Sequence, residues 1–197
     1  RIGTLIATPL NCLVVLEASE IESPADLRGR RIGYSVGGFE DALLAGMLSR
    51  YGLTLSDVKL VNVSFALSPS LIAGQVDAVI GAFRNFELNQ MDLLDHPGRA
   101  FYPEEEGVPA YDELILVAHR DRLADARLPR FLLAVERATH WLLNHPAAAW
   151  DIFRRTAQEL DEELNARAWR DTLPRFALRP AALDDGRYAR FGLFLEK

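Results

Sequence analysis

The sequence predicts an α/β protein with a helical second half. Short Val-, Ile- and Leu-rich runs alternate with amphipathic stretches through the first half, whereas from Leu128 onward the apolar residues recur at helical spacing only. A Pro- and acid-rich stretch, Pro103 to Pro109, marks the join. Strands alternating with helices at short spacing predict parallel βαβ units.

The strand candidates are Arg1 to Ala7, Leu13 to Leu16, Arg31 to Ser35, Val58 to Val63, Ala78 to Ala82 and Leu114 to His119. Between them, Ser23-Pro24-Ala25-Asp26-Leu27 offers an N-cap with proline at the first helical position. Glu40 to Tyr51 places apolar residues at 43, 44, 47, 48 and 51 and is ended by Gly52, and a short helix starts at Ser68-Pro69 and stops at Gly74. In the second half Phe131, Leu132, Val135, Ala138 and Leu142 form a stripe closed by Asn144-His145-Pro146. Trp150, Phe153 and Leu160 form a second stripe, Leu164, Ala168 and Trp169 a third, and Tyr188, Phe191, Phe194 and Leu195 begin a last helix. A compact α/β unit from about Thr8 to Ala110 is therefore expected, followed by a helical tail.

The chain has 197 residues, 49% hydrophobic and 25% charged, which excludes intrinsic disorder, collagen-like repeats and disulfide scaffolds. Twenty-two Lys and Arg against 28 Asp and Glu give a net charge of −6 with the basic residues scattered, so neither nucleic acid nor an anionic membrane is an expected partner. Cys12 is the single cysteine, which excludes intramolecular disulfides and Cys-rich metal sites. No run of 18 apolar residues exists, so no direct membrane insertion is expected. The first residue is not Met and the last apolar pattern breaks off, so the sequence reads as a piece of a longer chain.

Two segments are candidates for binding chemistry. Gly33-Tyr34-Ser35-Val36-Gly37-Gly38-Phe39-Glu40 runs from a strand through two glycines into a helix start, where backbone N–H groups and the helix dipole favour carboxylate or phosphate oxygens. The alternative is a tight turn with Glu40 serving the dipole. It is not a dinucleotide fingerprint, since the third glycine and the downstream acid are missing. The second segment, Phe83-Arg84-Asn85-Phe86-Glu87, follows a strand, and residues beyond the carboxyl end of a strand in an open sheet face the ligand crevice. Asn85 and Glu87 would supply a donor and acceptor pair for a polar heterocycle; otherwise they open a solvated helix. Tyr111 is a cleft-lining or a packing aromatic. Elsewhere, His96, His119, His140 and His145 lack metal spacing, Glu104-Glu105-Glu106 reads as a solvated loop, no serine lies in a nucleophile elbow, and Cys12 has no catalytic context. No catalytic residue, metal ligand or cofactor is assigned.

Leu27-Arg28-Gly29-Arg30-Arg31-Ile32-Gly33 after Ser23-Pro24-Ala25-Asp26, followed by Ala73-Gly74-Gln75-Val76-Asp77-Ala78, resembles the second lobe of periplasmic solute-binding proteins of the type II two-lobe fold. Narrower strings are Pro9-Leu10-Asn11, Gly33 to Glu40 and Gly81-Ala82-Phe83-Arg84-Asn85-Phe86-Glu87. Together they resemble the binding proteins of ABC importers for thiamine pyrimidine precursors, hydroxymethylpyrimidine and formylaminopyrimidine. The resemblance implies one complete lobe plus the C-terminal helical part of the other, with 8–110 as the second lobe and 1–7 with 111–197 as the remainder of the first, whose N-terminal part is absent. It implies ligand-binding roles for Asn11, Gly37, Gly38, Phe39, Glu40, Asn85, Glu87 and Tyr111, with a carboxylate, Glu87 or Glu40, accepting from the exocyclic amine and Phe39 and Tyr111 stacking on the ring. A small pyrimidine ligand, an ABC permease partner and a periplasmic or membrane-anchored extracytoplasmic location follow, without enzymatic activity or cofactor. Relatives of the same fold that synthesise the pyrimidine phosphate from pyridoxal phosphate and histidine, using a cysteine cluster and iron, are the first alternative, against which the single cysteine counts. The effector domain of a transcriptional regulator is the second. With the first lobe incomplete, strand Leu114 to His119 and the helices after Leu128 are expected to expose apolar surface meant for absent partners.

Overall fold

The computed structural model describes residues 1–196. They form two compact units, one comprising Leu10–Ala110 with the residues from Ala189 onward, the other Arg1–Pro9 with Tyr111–Tyr188.

The first of these is built on a five-stranded sheet. In chain order its elements are β2 (Asn11–Leu16), β3 (Arg31–Tyr34), α1 (Phe39–Ser49), β4 (Lys59–Asn62), α2 (Leu67–Ile72), β5 (Ala78–Phe83), α3 (Glu87–Leu93) and β6 (Gly98–Phe101), after β1 (Gly3–Ile6) of the other unit. The strand order is β4-β3-β5-β2-β6. β3 runs parallel to β4 and β5, as two βαβ units require, but β2 runs antiparallel to both β5 and β6. The sheet is mixed rather than wholly parallel, because β2 enters from outside the unit instead of following a crossover helix. β6 is not among the sequence candidates: Gly98-Arg99-Ala100-Phe101 has no apolar alternation, and pairing with β2 alone makes it a strand.

One face of the sheet carries a core of Cys12, Val14, Leu67, Leu71, Val76, Val79, Ala82 and Met91. Val79 and Ala82 share that face although they are three residues apart. A regular strand cannot do this, since its side chains alternate. The register explains it: Cys12 pairs with Ala82 and the next residue, Leu13, with Ile80, so Gly81 is the extra residue of a β-bulge. α1 buries Leu43, Leu44, Met47 and Leu48, the residues its apolar spacing selects.

In the other unit β1 pairs antiparallel with β7 (Leu114–Leu116), which ends before the expected His119. α4 (Arg127–Asn144) and α5 (Pro146–Phe153) meet at His145-Pro146, followed by α6 (Glu163–Thr172) and the first residues of α7 (Asp185–Leu195), whose remainder from Ala189 belongs to the unit of the five-stranded sheet. The α4 stripe is rotated from the expected one. Thr139 is buried and Leu132, Val135 and Leu142 are half-buried, while Phe131 and Ala138 face solvent. Leu160 leaves the second stripe for a separate 3₁₀ turn, and Trp150 and Phe153 instead gather with Trp169 of α6 at centroid distances of 5.2–5.9 Å. Leu114, Ile115, Val117, Phe131, Leu133, Trp141 and Ile152 are exposed, the apolar surface expected of these segments. No described helix is long and apolar enough to cross a membrane.

Candidate functional site

Parallel pairing of β3 with β4 and β5, and antiparallel pairing of β2, bring four features to one edge of the sheet. These are the amino end of β2 and the loops that follow β3, β4 and β5. This is the edge at which open α/β sheets bind ligands.

The β3–α1 loop, residues 35–38, is held from beneath by Glu40. Its Oε2 accepts from the backbone N–H of Ser35 at 2.8 Å and of Val36 at 3.1 Å, and the side chain is buried. Gly38 enters α1 at φ +92°, a conformation that side chains disfavour, and its N–H donates to Asp41 Oδ2 at 3.1 Å. Gly37 has no such backbone requirement; a Cβ there would make only ordinary contacts with Tyr34 and Asp41. Phe39 stands at the surface as the first residue of α1.

The bulge at Gly81 joins this loop to β2. Its N–H donates to Asn11 Oδ1 at 3.1 Å, while a Cβ on Gly81 would fall 2.5 Å from the Glu40 carboxyl carbon. Asn11, Gly81 and Glu40 therefore form one buried polar cluster, and the Glu40 carboxylate positions the glycine loop from within.

Beyond β5, Asn85 is buried and Glu87 is half-buried at the start of α3. Glu87 Oε2 accepts from the Phe83 N–H at 2.6 Å. Burial pushes the Glu87 carboxyl above the ordinary glutamate range, against the lowering effect of backbone hydrogen bonds from Phe83 and Glu87 itself. Arg84 between them packs over the Tyr102 ring at 4.1 Å, donates to Leu10 and Asn11 carbonyls, and forks onto Glu104 at 2.7 and 2.9 Å. The acidic run is accordingly not a solvated loop: Glu104 pairs with Arg84, and Glu106 accepts from the Tyr51 hydroxyl at 2.7 Å.

Of the sequence candidates, Asn11, Gly37, Gly38, Phe39, Glu40, Asn85 and Glu87 thus lie along one edge, whereas Tyr111 is a buried residue of the other unit. Gly81 and Arg84 are additions, and Gly81 carries no signal outside the register. Cys12 is buried with its Sγ donating to the Ala82 carbonyl at 3.1 Å. His140 and His145 are each within hydrogen-bond distance of a backbone carbonyl, Leu178 and Trp141 respectively.

The family described as NMT1/THI5 like matches residues 1–149. The chain belongs to this family. A Haemophilus influenzae protein named as a thiamine biosynthesis protein is 54% identical over 198 residues, covering 100% of this chain and 63% of its own length. A formylaminopyrimidine-binding protein of Halalkalibacterium halodurans is 29% identical over 153 residues, 77% of this chain and 46% of that protein. A Schizosaccharomyces pombe 4-amino-5-hydroxymethyl-2-methylpyrimidine phosphate synthase is 25% identical over 174 residues, 83% of this chain and 50% of that one. Among solved structures, the periplasmic aliphatic sulphonate binding protein SsuA of Escherichia coli superposes with a TM-score of 0.75 at 17% identity, covering 98% of this chain and 63% of SsuA. The fold of this NMT1/THI5-like chain is thus that of type II periplasmic solute-binding proteins, and the chain spans roughly half to two-thirds of the length of these relatives.

Proposed function

We propose that this protein is the solute-binding component of an ABC importer and takes a thiamine pyrimidine precursor, hydroxymethylpyrimidine or formylaminopyrimidine, at the loop edge of the five-stranded sheet. The observation that carries this reading is the convergence on that edge of Asn11, the Gly37-Gly38 turn, Asn85 and Glu87. Amides and a carboxylate suit the ring nitrogens and exocyclic amine of such a ligand, and Glu87 is the better placed carboxylate because it is half-buried at the start of α3, whereas Glu40 is buried beneath the loop whose N–H groups it holds. The formylaminopyrimidine-binding relative supports the same ligand class. With it go a permease partner, an extracytoplasmic location, and the assignment of 8–110 as one lobe and 1–7 with 111–197 as part of the other.

The synthase relative favours a second reading, pyrimidine synthesis. Among the described residues no three His, Cys, Asp or Glu side chains are gathered, so the residues at hand do not compose an iron site for that chemistry.

The two readings separate in one experiment on the full natural chain: mass spectrometry of ligand released on denaturation, with thermal shifts against both pyrimidines and pyridoxal phosphate. A pyrimidine-dependent rise in melting temperature is expected, weakened in Glu87→Gln with little change in the unliganded melting temperature. No shift with either pyrimidine, or iron-dependent turnover of pyridoxal phosphate, overturns the importer reading.

A further inference from the structure

The β4–α2 loop carries a feature that the foregoing site does not use. Phe65 is 87% exposed, the highest exposure of any large apolar side chain among the described residues. A phenyl ring left in water gives up the free energy that burial would return, and here the next large apolar residue, Leu67, is the one that enters the core.

The backbone that carries the ring is fixed by hydrogen bonds. Ser64 lies in the left-handed region at φ +52°, its N–H donating to Asn62 Oδ1 at 2.9 Å and its carbonyl accepting the Ser35 hydroxyl. On either side, Val63 N–H donates to the Tyr34 carbonyl at 3.0 Å and Ala66 N–H to the Val63 carbonyl at 3.1 Å. The backbone around Phe65 is thus tied to the β3–α1 loop, the loop of Gly37 and Gly38. That loop and the start of α1 contribute further exposed apolar side chains, Val36 at 48% and Phe39 at 36%.

We infer that Phe65 is a specificity-determining ligand contact, its ring stacking on a flat heteroaromatic ring bound at this edge while Val36 of the adjoining loop and Phe39 at the start of α1 offer apolar surface. This rests on the proposed pyrimidine-binding function and adds the residue that would select a planar ring over a small anion of similar polarity. Stacking depends on an aromatic face, so it distinguishes Phe, Tyr and Trp from an aliphatic side chain of similar size.

The test is calorimetric titration of hydroxymethylpyrimidine and formylaminopyrimidine into the full natural chain and into Phe65→Ala, Phe65→Leu and Phe65→Trp, with unliganded melting temperatures measured in parallel. Phe65→Ala and Phe65→Leu are expected to weaken binding about tenfold, the scale of one base–aromatic stack. Phe65→Trp is expected to stay within about threefold of the parent and to change its indole emission on saturation, with all melting temperatures close to the parent's. Parent-like affinity in Phe65→Ala, or rescue by Leu as good as by Trp, overturns the inference and leaves the proposed function standing. A parent that binds neither pyrimidine overturns both. If the Ala variant does not fold, the Leu and Trp pair makes the same comparison.

Discussion

At Gly81 the backbone takes φ +100°, and the Glu40 carboxylate occupies the space a side chain would need. The two constraints have separate origins, a disfavoured dihedral and a steric collision, and both fall on the residue whose N–H binds Asn11. Gly81→Ala is therefore expected to lose roughly 2–5 kcal/mol in urea denaturation, from a left-handed conformation and overpacking together. Gly37→Ala, free of both constraints, is expected to stay within about 0.5 kcal/mol of the parent. The glycine pair at 37 and 38 is visible in the sequence as a loop, but the difference between them is not. It arises from one dihedral, φ +92° at Gly38, which spacing does not encode.

The segment from β5 into α3 shows how an element inherits its role from partners far along the chain. Arg84, with only 9% of its side chain exposed, links the carboxyl end of β5 to the entry of β2 through the Leu10 and Asn11 carbonyls and to Glu104 through a two-pronged ion pair. Arg84→Met is expected to cost roughly 1.5–3 kcal/mol, the range for charge-assisted hydrogen bonds, with Arg84→Lys recovering part of it because an ammonium lacks the fork. Denaturation curves of both variants check this, and a fully stable Arg84→Met would show that the pair contributes nothing. The helix α1 was legible from its apolar spacing and its glycine boundaries. The acidic run at 104–106 has the composition of a solvated loop, and composition cannot show an arginine twenty residues upstream folded against it.

The unit containing β1 and β7 is assembled from two chain segments more than a hundred residues apart. Asp112 closes it: its carboxylate accepts from Thr4 at 2.7 Å, Arg187 at 2.6 Å and the Tyr188 hydroxyl at 3.0 Å. Burial pushes the Asp112 carboxyl up, but the hydrogen bonds of Thr4, Arg187 and Tyr188 and the Arg187 charge outweigh it and hold it below the ordinary aspartate value of 3.8. A carboxyl held low stabilises the folded state in full above its unfolded pKa and loses that contribution as pH falls through the folded one. Asp112→Asn is thus expected to melt below the parent at pH 7, with the gap narrowing below about pH 4. A constant gap across that range would show that Asp112 ionisation is not linked to folding. Most strands and helices, and the division into an α/β region and a helical region, follow from local patterns of apolar residues and turn formers, which is why they could be read directly. The antiparallel entry of β2, the bulge at Gly81, the exposure of Phe65 and the Arg84–Glu104 pair were decided only by tertiary structure. Each depends on which strand lies beside which, and strand pairing is a contact between residues that the chain order keeps apart.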